Sequence, residues 1–134
     1  MVRLILILAI SIILSACVPS IGGGGGVSSS DEYMKGRIVK GFPGLPAYPK
    51  AEVIESYGNE GSYGASFMSS DDLAKVVKFY NDSIPQIGWE MQAKKQSETN
   101  FSFDVKNAQY QGSVIVNTAA DGKKTAITIF ASPR

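Results

Sequence analysis

The sequence predicts an α+β domain, with one helix packed on an antiparallel sheet of five or six strands in the order ββαββββ. Three observations predict it. Between Asp71 and Gly88 the apolar residues Leu73, Val76, Val77, Tyr80, Ile84 and Ile87 recur at three- and four-residue spacing, the period of a helix with one buried face. On either side lie short segments that alternate apolar with polar residues or are dense in β-branched ones, as half-buried strands do. The helical period occurs once, between strands. That suits a helix laid across one face of an antiparallel sheet and not an alternating βαβ chain.

Taken in order, Ala51 to Tyr57 and Ser62 to Met68 read as two strands joined through Gly58-Asn59-Glu60-Gly61, a hairpin signal. The helix is expected to start at about Asp71, where Ser69-Ser70-Asp71-Asp72 offers capping side chains and two carboxylates for its positive end. Pro85 and Gly88 then stop it. Trp89 to Ala93, Phe101 to Val105, Tyr110 to Asn117 and Thr125 to Ala131 read as four further strands, the last two joined near Asp121-Gly122. The core expected from these elements is Leu73, Val77, Tyr80, Ile84, Trp89, Met91, Phe101, Phe103, Val114, Val116, Ile127 and Ile129.

These elements fill residues 42–134, roughly ninety residues, enough for one core that buries somewhat over half of the unfolded surface. The boundary falls near Phe42 because Gly41-Phe-Pro-Gly-Leu-Pro46 breaks regular structure. The preceding residues divide in two. Met1-Val2-Arg3 gives a positive start and Leu4 to Leu14 an apolar run broken only by Ser11, with the small residues Ser15 and Ala16 after it: the plan of a secretory signal. This run of eleven residues at about 1.5 Å each covers about half of a hydrocarbon core roughly 30 Å thick, which argues against a spanning helix. From Pro19 to Ser30, with five consecutive glycines at 22–26, the chain reads as a flexible linker.

Leu14-Ser15-Ala16-Cys17 resembles the lipobox of bacterial lipoproteins residue for residue. The resemblance covers residues 1–17. It implies a signal peptide at 1–16, cleavage before Cys17, lipid on the Cys17 thiol and amine, and a tether over 17–41. It also implies a membrane partner held through that lipid, with the domain facing the periplasm or the exterior. Two or three acyl chains make a stable anchor. Val18 in place of the retaining Asp implies the outer membrane in a bacterium with two membranes. No second cysteine exists to form an intrachain disulfide. A looser resemblance, over about residues 46–90, is to uncharacterised small bacterial envelope domains with a "YPxA, FY, P, GW" pattern. It is carried by Tyr48-Pro-Lys-Ala51, Phe79-Tyr80, Ile84-Pro85 and Gly88-Trp89. It implies fold only, since turn, helix face or core explains each member.

Composition excludes several function classes. The chain has 13 basic and 12 acidic residues, and removing Arg3 with the signal leaves the two signs equal. A nucleic-acid surface needs a basic excess on one face, and only the doublets Lys94-Lys95 and Lys123-Lys124 occur, at strand ends where lysines keep edges soluble. No histidine is present and the single cysteine is committed to lipid. Ser-His and Cys-His catalysis and histidine metal sites therefore have no residues to use. Carboxylate pairs remain conceivable. Asp104, between Phe103 and Val105, points outward by strand alternation, so the chain reads as a non-enzyme without cofactor or metal. The residues left for binding are Tyr48, Tyr57, Tyr63 and Tyr110, which stand outside the helix stripe. Two functions follow: a non-catalytic envelope interaction module docking on another protein through its sheet face or edge, or a small-ligand protein holding a glycan or lipid fragment between sheet and helix.

Overall fold

The sheet begins earlier in the chain than the sequence predicts. The computed structural model describes residues 32–134, and its first element, β1 (Glu32–Lys35), lies in the stretch read as linker. Four residues, EYMK, carry too little alternation to signal a strand. What holds them is pairing: β1 runs antiparallel to β2 (Ala51–Asn59), Tyr33 donates to Glu55 Oε2 at 2.7 Å, and the Gly36 N–H donates to the Ile54 carbonyl at 2.9 Å. The following loop is clamped by buried Ser56, whose hydroxyl donates to the Arg37 carbonyl at 2.7 Å and accepts from the Val39 N–H at 2.8 Å. The signal segment, Cys17 and the glycine run lie outside the described residues.

Glu60 and Gly61, with φ of 48° and 82°, make the two-residue turn into β3 (Ser62–Ser69), a geometry whose twist matches the flanking strands. Helix α1 (Leu73–Gln86) follows, capped by Asp72 accepting from the Lys75 N–H at 2.9 Å. Pro85 is in its last turn, the helix ends one residue later at Gln86 as expected, and Gly88 at φ 84° sends the chain back to the sheet. Then β4 (Glu90–Ser97), β5 (Asn100–Lys106), β6 (Tyr110–Thr118) and β7 (Thr125–Pro133) form an antiparallel meander. Asp121 Oδ1 accepts from the N–H groups of Lys123 and Lys124 to shape the last turn, which is longer than two residues.

The architecture is α+β, one helix on one antiparallel sheet, but with seven strands and not five or six, ordered β1-β2-β3-β7-β6-β5-β4. The β3–β7 pairing closes the N-terminal and C-terminal halves into a single sheet. On the helix side, Val76, Tyr80 and Ile84 form one stripe spaced by four residues and pack onto Phe103, Val114, Val116, Ile127 and Ile129, all fully buried. At about 25 cal/mol per Å2 of apolar surface, each of these aliphatic or aromatic side chains contributes roughly 1.5–3 kcal/mol of transfer free energy. Of the twelve expected core residues, Leu73, Val77, Met91 and Phe101 are only partly buried, while Val39, Leu45, Tyr48, Ala65, Phe67, Val76, Val105 and Ala131 join the core.

Two strand glycines carry opposite demands. A Cβ on Gly112 would fall inside the Phe130 carbonyl of the paired strand, whereas a Cβ on Gly64 would meet only the ring of Tyr57, a side chain free to swing away. Gly112→Ala is therefore expected to lower stability by about 2–4 kcal/mol and Gly64→Ala by less than about 1 kcal/mol. Urea unfolding of the two variants beside wild type checks the ordering, and equal costs would contradict it.

Candidate functional site

The stripe Val76-Tyr80-Ile84 fills the centre between helix and sheet, so the helix's two flanks determine what space remains. One flank is partly filled and keeps a space of about 390 Å3. Tyr48, in the loop before β2, packs edge-on against Phe79 at 5.2 Å between ring centroids and donates a 2.5 Å hydrogen bond to Asp71 Oδ2. The buried Tyr80 hydroxyl lies beside the Tyr48 backbone without a hydrogen bond of normal geometry, and burial drives its pKa upward.

The other flank is open. Leu73, Ala74 and Val77, on the surface of α1 beside its buried stripe, face Phe101 at the outer end of the β4–β5 hairpin across a groove of about 680 Å3. Three of the four partly buried members of the expected core, Leu73, Val77 and Phe101, are thus its floor. Two ion pairs form the rim: Lys78 with Asp82 at 2.5 Å on the helix, and Lys95 with Glu98 at 2.7 Å on the hairpin. Lys95 Nζ stands 5.9 Å from the centre of the Phe101 ring, within cation–π range. Asn81 and Asp72 complete the edge. Such a volume is in the usual range for small-molecule sites, and an apolar floor with a few polar groups at its margin is their usual composition. Among the described residues no cluster of three or more acidic, histidine or cysteine side chains is placed to hold a metal.

The four tyrosines singled out by sequence do not share one surface. Tyr63 and Tyr110 meet edge-on at 6.4 Å, and Phe42 on one side (5.8 Å) and Trp89 on the other (6.5 Å, nearly parallel) extend them into an aromatic chain partly buried on the helix side. Tyr48 is the buried strut described above, and Tyr57 lies on the opposite face of the sheet over Gly64. Sequence reasoning placed Leu73, Val77 and Phe101 in the core and gave Lys95 to the surface. The available signal was surplus: the helix has more apolar residues than a single stripe can bury.

Residues 51–128, from the start of β2 into β7 and including α1, match the START domain-like family. The chain belongs to that family. The match spans the helix, both hairpins flanking it and every residue lining the groove. Comparison with curated proteins and with solved structures finds no match.

The Tyr48–Asp71 contact makes the helix N-terminus sensitive to pH in both directions. The Tyr48 hydrogen bond, aided by Lys50 and Lys75, holds the Asp71 carboxyl below its ordinary value of 3.8. The same bond, with burial and the Asp71 charge, raises Tyr48 to about 12. A lowered carboxyl contributes stability above pH 3.8 that is lost as pH falls through the folded value, and a raised phenol contributes stability below pH 10 that is lost as pH rises toward about 12. Tyr48→Phe is expected to flatten both limbs of the stability-versus-pH curve, measured by thermal unfolding. Unchanged limbs would show that the contact is absent in solution.

Proposed function

We propose that this chain is a membrane-tethered lipoprotein whose START domain-like domain binds a small, largely apolar ligand in the groove between α1 and the β4–β5 hairpin. One observation carries the ligand reading: an open groove of about 680 Å3 with Leu73, Ala74, Val77 and Phe101 as its floor, in a family whose domains are typically binding modules. An apolar ligand entering it covers side-chain surface that otherwise faces water, at about 25 cal/mol per Å2. The ion-paired rim sets the ligand's other requirement, a polar end that accepts from Lys95 or Lys78 or donates to Glu98, Asp82 or Asn81. An amphiphile with one short apolar arm and one polar head fits both. Binding requires no group to react, which agrees with a chain that lacks histidine.

The tether reading is supported by Leu14-Ser15-Ala16-Cys17 and the Gly/Ser stretch after it.

Each half is tested separately. Intact mass of the membrane-extracted protein is expected to show a lipidated chain starting at Cys17, with that mass lost in Cys17→Ala. An uncleaved or lipid-free wild-type chain would overturn the tether. For the groove, Val77→Trp fills the floor with a side chain too large to leave room for a ligand. A fluorescently labelled medium-chain fatty acid is expected to bind wild type and to bind Val77→Trp at least about tenfold more weakly, with the unfolding midpoint within a few degrees of wild type. Equal binding by both proteins would remove the groove as the site.

A further inference from the structure

The face of the sheet away from α1 differs from its surroundings in one respect. The register fixes which residues it presents: Tyr57, Gly64, Phe130, Ser113, Asp104 and Gln92 form one row across the strands, beginning at Tyr33 on β1. Rows above and below follow by steps of two residues. On the three central strands β3, β7 and β6, eleven outward positions result, from Gly64 to Met68, Ala126 to Ser132 and Gln111 to Asn117 at alternate residues, and none is charged. With about 30 % charged residues on an ordinary surface, eleven uncharged positions arise by chance about one time in fifty.

The charges gather at the margins of this face. Lys35, Glu52 and Glu55 flank it on β1 and β2, and the pairs Lys94–Asp104 and Lys106–Glu90 flank it on β4 and β5. Three of the five large apolar side chains most exposed among the described residues stand in the single row named above: Tyr33 (56 % exposed), Tyr57 (41 %) and Phe130 (40 %). The Tyr57 ring lies over Gly64, along the face. An uncharged centre holding Phe130 and Ile115, inside a margin that carries the charges together with Tyr33 and Tyr57, is the composition of an interface core and its rim.

We propose that this face is the interface of a homodimer, in which a second copy of the chain packs sheet against sheet. This goes beyond the groove reading and does not depend on it, because the groove lies on the other side of the sheet. Charge and area identify the occupant. The margin holds both signs in nearly equal number, so a two-fold axis can set the patch against itself without a field of one sign repelling the partner. Seven strands about 4.8 Å apart and about 26 Å long give a face of roughly 900 Å2, and a standard interface takes about 800 Å2 from each partner. The small Ser66 and Ser113 near Phe130 leave room for the Phe130 ring of the other copy.

Sedimentation velocity of the chain from Val18 onward, which keeps every described element, tests this without the lipid. A dimer mass at tens of micromolar is expected, together with an unfolding midpoint that rises with protein concentration. Phe130→Glu and Ile115→Lys each set like charges against one another across the two-fold axis. Each is expected to weaken association about a hundredfold or more while leaving the far-UV spectrum unchanged. Ile87→Lys, an equally exposed apolar residue at the end of α1 and away from this face of the sheet, is expected to leave the dimer intact. A monomer mass up to about 1 mM would overturn the proposal, as would dissociation by Ile87→Lys to the same degree.

Discussion

Everything on the helix side of the sheet depends on the corner at residues 69–72, where β3 ends and α1 begins. Ser69 Oγ accepts from the Asp71 N–H at 3.1 Å, the Asp71 carbonyl accepts from Thr125 Oγ1 at 2.8 Å, and the Asp71 carboxylate accepts from Tyr48. Ser69 and Thr125 are both buried, so these bonds are made where an unpaired hydroxyl would cost about 1–3 kcal/mol. One residue thus ties the loop before β2, the start of β7 and the helix N-terminus together. The Asp72 cap then fixes where the first turn begins. The position of α1 across the sheet, and so the identity of its partly filled and open flanks, follows from this corner.

How legible was this in the sequence? The helix and six of the strands were, because their signals are local: a period of 3.6 over residues 73–84, alternation over 101–105, glycines in the turns. β1 was not, because its pairing partner, Glu55 to Gly58, lies some twenty residues on and nothing in EYMK marks it as a strand. The cap at Asp72 was legible for the same local reason, while the Tyr48 and Thr125 contacts to Asp71, at separations of 23 and 54 residues, were not. Tyr48 illustrates the difference. Read as a loop tyrosine it looked available for recognition, and in the fold it is a buried strut.

The sheet's two faces also differ in how their residues were readable. On the helix side, position in the alternation predicts burial, and Phe103, Val114, Val116, Ile127 and Ile129 obey it. On the far side, alternation predicts polar residues, and Ser66, Ser102, Ser113 and Thr128 satisfy that expectation while adding no charge. Small hydroxyl residues are neutral in a pattern-based reading. Only the register, which sets the outer positions of β3, β7 and β6 side by side, shows that they adjoin one another and Phe130.

The groove beside α1 follows from a mismatch in quantity. A helix of fourteen residues lying on a sheet buries one stripe, here Val76, Tyr80 and Ile84. This helix carries Leu73, Val77 and Phe79 as well. Phe79, on one flank, meets Tyr48, which the Asp71 corner holds in place. Leu73 and Val77, on the other, find no loop to cover them, because the chain after α1 turns at Gly88 and returns along β4 at the sheet's edge. The β4–β5 hairpin comes close enough to set Phe101 opposite them but not close enough to shut the gap. Leu73 and Val77 pack part of their surface against the core and leave the rest on the groove, so an apolar ligand seated there would complete a contact that the chain itself only begins.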